Sequence, residues 1–138
     1  MNKIDDSELP LQMWRYFNEK KWGAARELLS DEFEAYRAQS DETFVGPANF
    51  IEVNQIYPGT DKIQILDSHN SYDHREHNHQ VTTEVFSESK MPDGKEMKLY
   101  AISFFEITDG KTISLKEYFA DTHPAPDWLK HLVTKDPR

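Results

Sequence analysis

Residues Phe104 to Asp121 read FFEITDGKTISLKEYFAD, and the folding of this stretch decides the fold of the chain. Asp109-Gly110 is a tight-turn signal, because Gly and Asp tolerate the left-handed backbone that a two-residue hairpin loop requires. On either side lie segments rich in aromatic and β-branched residues, which read as strands. The first is EMKLYAISFFEIT (Glu96 to Thr108) and the second TISLKEYFA (Thr112 to Ala120). Period-two counting puts Ile113, Leu115, Glu117 and Phe119 on one face of the second strand, with Asp121 continuing it. An acid on that apolar face is costly unless paired, and Arg37 or a histidine is its natural partner.

Working upstream, the turn signal MPDGKE precedes this hairpin, and two further strands precede the turn. They are HNHQVTTEVFSES (His77 to Ser89) and KIQILDSHNSYD (Lys62 to Asp73). GPANFIEVNQIYPG (Gly46 to Gly59) reads as a helix with Pro47 at its first position and Tyr-Pro-Gly as its stop. EFEAYRA (Glu32 to Ala38) reads as a strand, and Trp22 to Leu29 as a short helix. Near the N-terminus Leu9, Met13, Trp14 and Phe17 form one helical stripe, with Ser7 placed to cap it and Pro10 in its first turn. HPAPDWLKHLV adds a short helical tail begun by Asp127, in which Trp128 is expected to pin the tail to the body or to a partner. Helices alternating with a mainly antiparallel sheet make an α+β domain.

At 138 residues one domain is expected over 1–138, with a core of about 8–121 and a tail of 122–138. A formal charge of −9 argues against a nucleic-acid partner or an anionic membrane surface. The chain has no cysteine, which excludes disulfides, thiolate ligands and a thiol nucleophile. No apolar run approaches the roughly 20 residues needed to span a bilayer. A soluble cytoplasmic protein is the default expectation.

The Phe104 to Asp121 stretch resembles the closing hairpin of the SnoaL-like branch of the nuclear transport factor two-like superfamily. That pattern is an aromatic strand, Asp-Gly-Lys, then a strand ending in an aromatic residue and an acid. The upstream order agrees: helix, short helix, LLSDEFEAY (Leu28 to Tyr36), a helix opened by Gly46, then long strands. The resemblance runs from about Leu9 to Trp128. It implies a cone, in which a curved sheet wraps a long N-terminal helix, two further short helices flank it, and a pocket opens at the wide end. It also implies a small apolar or aromatic ligand, and a homodimer formed through the outer sheet face. Members range from polyketide cyclases and ketosteroid isomerases to domains with no chemistry, so the motifs leave the reaction open.

The isomerase-like members place a tyrosine, an aspartate and a further acid at positions falling near Met13, Arg37 and Ser103, none of which matches. The cyclase-like members use an aspartate ending the last strand, which Asp121 matches, and a histidine on the strand before it. Lys98 to Ile107 contains no histidine.

A substitute histidine could come from SHNSYDHREHNHQ (Ser68 to Gln80). Period two puts His77, His79, Val81, Thr83 and Val85 on one inward face, with the turn around Asp73 to Glu76. His79 with Asp121, or Glu117, is then a candidate acid/base pair, since imidazole titrates near neutral pH and burial raises a carboxyl toward it. A metal held by His77 and His79 with His69, Asp73 or Glu76 is the competing reading, and no metal or cofactor is assigned. Trp14, Phe17, Phe50, Tyr57, Phe104 and Phe119 are the expected ligand-lining residues. Three functions stay open: a small-molecule-binding domain, an acid/base enzyme, and a dimeric interaction module without chemistry.

Overall fold

The computed structural model describes residues 4–58 and 60–135. Gly59, the end of the expected Tyr-Pro-Gly stop, and the extreme ends of the expected 1–138 domain lie outside the described residues. Helix α1 spans Leu9–Asn18, and its three- and four-residue spacing buries Leu9, Met13, Trp14 and Phe17 on one stripe. Pro10 occupies its first turn, where a missing N–H costs nothing. Ser7 is not the cap. A 3-10 turn, Asp6–Glu8, comes first and puts Glu8 at the cap position, with no side-chain bond to the helix.

Helix α2 is Trp22–Glu27, shorter than expected, because Leu29 already belongs to strand β1, Leu29–Arg37. Strand β2, Glu42–Val45, was not legible in the sequence: four edge residues give too few alternations to show a period. Helix α3, Pro47–Gln55, starts with Pro47 after Gly46, whose φ of 87° a side chain would strain.

Four long strands follow: β3 (Thr60–Asp73), β4 (Asn78–Lys90), β5 (Glu96–Thr108) and β6 (Lys111–Asp121). The sheet order is β2-β1-β6-β5-β4-β3, with β1 parallel to β6 and every other pair antiparallel. Asp109 and Gly110 turn the β5–β6 hairpin with φ of 52° and 74°, the left-handed pair of a type I′ loop. The register shifts between Ile65 and Asp67 on β3 and between Glu106 and Ile107 across from β6. Such bulges bend a sheet, and here it curves over the helices. The core lies between them, around Met13, Phe33, Phe50 and Phe105.

Asp73 pairs with Asn78, so the β3–β4 turn is His74 to His77, one residue later than expected. His77 therefore lies in the turn at φ 53° and exposed, off the strand face assigned to it. The tail forms a 3-10 helix over Asp127–Leu132, yet Trp128 is 75% exposed and does not pin it to the body. Among the described residues no helix is long and apolar enough to cross a membrane.

Candidate functional site

Strand register sets one polar row across the concave face. Thr83 on β4 pairs with Ser103 on β5, Ser103 with Glu117 on β6, and Glu117 with Arg37 on β1. Strictly paired residues share a face and stand about 5 Å apart. Thr83, Ser103 and Glu117 are buried and Arg37 half-buried, so the row crosses the interior rather than the surface.

Each member is held differently. The Trp14 indole N–H donates to Thr83 Oγ1 at 3.1 Å, tying α1 to the floor of the sheet. Ser103 Oγ is buried without a hydrogen-bond partner among the described residues. Arg37 Nε donates to Glu117 Oε2 at 3.0 Å, which compensates a carboxyl that burial would otherwise leave alone. The guanidinium lies over the Phe44 ring at 4.8 Å and the Phe119 ring at 5.5 Å. Burial pushes the Glu117 carboxyl above its ordinary value, and the Arg37 charge and hydrogen bond pull the other way without reversing it. Glu117 Oε1 has no hydrogen-bond partner among the described residues.

A cavity of about 220 Å³ opens beside this pair. Trp14, Val85, Leu99 and Phe119 supply apolar wall, and Asn54, Tyr57, Ser87 and Gln39 add polar groups. Asn54 spends its Nδ2 on the Phe50 carbonyl at 2.8 Å, and its amide oxygen has no hydrogen-bond partner among the described residues. Sequence reasoning missed the serine wall, although counting by two along β4 from Val85 reaches Ser87 and Ser89.

The expected site residues separate into five places: the cavity, the core, the outer face of the sheet, the end of β6 and the hairpin end. Glu117, Trp14, Tyr57 and Phe119 line the cavity. Phe17 and Phe50 belong to the core instead, with Phe50 fully buried between Phe33, Phe44 and Phe17. Phe104 faces away on the outer side of the sheet, 45% exposed. Adjacent strand residues point oppositely, and Phe105 is the one that faces in.

Asp121 ends β6 on the Glu117 face, exposed, paired with Leu99. His79 pairs with Ile107, eight positions from Leu99 along β5, which puts it roughly 26 Å from Asp121 at about 3.3 Å per residue. The structure does not bring His79 and Asp121 together. His79 instead stands 3.4 Å from Asp6, against the edge of the Tyr72 ring.

The metal reading of the histidine hairpin lacks a ligand set. Among the described residues no group of three or more His, Asp or Glu side chains is placed to hold one ion. His69 pairs with Asp67 at 3.0 Å on the exposed side. The Asp67 carboxyl is held low, first by the Ser68 backbone N–H and then by His69.

No family model matches the chain. No curated protein matches it either. Solved structures do. A protein of Kribbella flavida, provisionally named a ketosteroid isomerase, superposes with a TM-score of 0.74 at 20% identity, over 96% of this chain and 90% of that one. An NTF-2 like protein of unknown function from Burkholderia xenovorans gives 0.71 at 19% identity, over 94% and 93%. SalBIII, an epoxide hydrolase/cyclase-like enzyme of pyran ring formation in the polyether salinomycin, gives 0.67 at 18% identity, over 82% and 88%. At these identities the likeness is one of fold.

Proposed function

We propose, for a chain with the nuclear transport factor two-like cone fold, that the cavity beside Arg37 and Glu117 binds a small one-ring molecule. The observation that carries this reading is the cavity's combination of size and lining. Its volume of about 220 Å³ falls between the roughly 150 Å³ that accommodates benzene and the roughly 300 Å³ where drug-sized sites begin. That suits a single substituted ring better than a fused polycycle. Apolar wall with a few convergent polar groups is the usual composition of such a site.

Acid/base chemistry at Glu117 is the second reading, favoured by its raised carboxyl and its unpartnered Oε1. Asp121 is the other carboxyl on that strand face, about 13 Å further along β6. His79 is too distant to serve either.

A fragment screen by amide and indole NMR tests the binding reading. One-ring compounds should shift the Trp14 indole N–H and the Ser87 and Leu99 amides while leaving His79 still. Shifts confined to the hairpin end, or none at millimolar fragment, would remove the reading.

We also propose that a second copy covers the outer face of the sheet. Ile102, Phe104 and Tyr118 are 42%, 45% and 47% exposed there, on adjoining rows of β5 and β6. Glu84 and Glu88 on β4 and Lys116 on β6 flank them, opposite signs that a two-fold-related chain would bring together. Sedimentation should give a dimer that Phe104→Glu reduces to monomer. A monomer in the unsubstituted chain at micromolar concentration would discard the idea.

A further inference from the structure

This inference rests on the pocket reading and narrows its ligand. Among the described residues Arg37 and Glu117 are the only Arg, Lys, His, Asp or Glu side chains lining the cavity. They are not equivalent toward a ligand. Arg37 spends Nε on Glu117, and its two Nη groups, with four N–H donors, have no protein acceptor among the described residues. The Phe44 and Phe119 rings lie against the guanidinium and hold its plane, so the free edge is fixed rather than floating. A planar fork of N–H donors matches the two oxygens of a carboxylate, and a fixed fork loses little entropy on binding one. The chain as a whole carries −9, so this donor edge is a local exception in an acidic molecule.

Charge balance couples binding of such a ligand to a proton. Two carboxylates around one guanidinium leave one negative charge in excess, in a place where charge is poorly solvated. Burial already favours the protonated form of Glu117. A ligand bringing its own carboxylate therefore displaces charge from Glu117 as a proton is taken up from solvent. Among the described residues Arg37 from β1 and Tyr57 from the segment after α3 are the other titratable groups on the cavity wall.

We propose that the cavity binds a one-ring carboxylic acid as its carboxylate, the Nη edge of Arg37 holding the two oxygens and Trp14 and Phe119 flanking the ring. Glu117 Oε1 is then free to donate or accept toward a ring substituent, according to its protonation.

Titration calorimetry of the full chain with benzoate, benzamide and benzyl alcohol at pH 6 tests this, with the Trp14 indole N–H followed by NMR in parallel. Benzoate should bind at least about tenfold more tightly than either neutral ring, a difference of about 1.4 kcal/mol. Arg37→Gln should erase that preference, and Arg37→Lys should restore only part of it. Glu117→Gln should keep benzoate binding while abolishing the proton uptake read from buffers of different ionisation enthalpy. Benzamide binding as tightly as benzoate to the unsubstituted chain overturns the carboxylate inference and leaves the pocket standing. Failure of all three rings to move the Trp14 signal overturns the pocket reading as well.

Discussion

At the hairpin end of the sheet His79 stands 3.4 Å from Asp6, with the two side chains 31% and 25% exposed. At the other end Arg37 and Glu117 are 3.0 Å apart, and the Glu117 side chain is 4% exposed. Both are a base beside an acid on the concave side, but water has opposite roles in them. His79 Nδ1 is itself shielded and misses hydrogen-bond geometry, while both side chains keep partial contact with water. Around Glu117 the protein has replaced the solvent, and the carboxyl responds by holding its proton more strongly. The end with a single buried carboxyl holds that group above its ordinary value beside the cavity of about 220 Å³.

The largest expected effect comes from breaking the buried pair. The folded-state value of Glu117 lies above its ordinary value of 4.5. Its contribution is therefore fully present below 4.5 and is lost as pH rises through the folded value. Removing Arg37 pushes that value higher still. Arg37→Ala should cost about 3 kcal/mol at pH 8, the low end for an orphaned buried charge, and much less at pH 4.5. Urea unfolding at the two pH values measures this, and a cost independent of pH would erase the distinction between the two ends.

A smaller effect sharpens the same comparison. Trp14→Phe leaves Thr83 Oγ1 without its donor and should cost about 1–2 kcal/mol, read by thermal or urea unfolding. No loss at all would mean that the row on the concave face is not held by that bond. The smallest belongs to the hairpin end. His79→Ala should change stability by about 0.5 kcal/mol or less and leave ring binding untouched. A loss as large as that of Arg37→Ala would invert the comparison.

Much of this architecture could be read in the residues. Asp109-Gly110 set the closing hairpin, the stripe of α1 announced its buried face, and counting by two put Glu117 inward with Arg37 as a fitting partner. What period two supplies is a face, not a height along the strand. His79 and Asp121 both lie on the side of the sheet expected of them, and eight positions of β5 still separate their pairing partners. Register was the other missing quantity. The extra residue at Leu66 and the turn at His74 to His77 each shift the count by one, which is enough to take His77 off its strand. Phe104 and Phe105 carry the same signal, and only the pairing with β4 and β6 decides which of them is core. The helix capping of α1 misled for a local reason, since a 3-10 turn took up the residues where a cap was expected.

The bulge in β3 has a consequence for the fate of this chain at high concentration. β3, a strand of 14 residues, ends the sheet order, and of its outward backbone groups those of Ile63 are taken up by Asn18 of α1, whose Nδ2 donates to the carbonyl and whose Oδ1 accepts from the N–H. A flat seam of that length is a template on which another molecule's strand can grow, and Leu66 beside it is exposed. The register shift at Ile65/Asp67 breaks the seam into two shorter runs, with Lys62 on one and the Asp67–His69 pair on the other. One surplus residue thereby shortens the run of edge backbone to which a second strand could add.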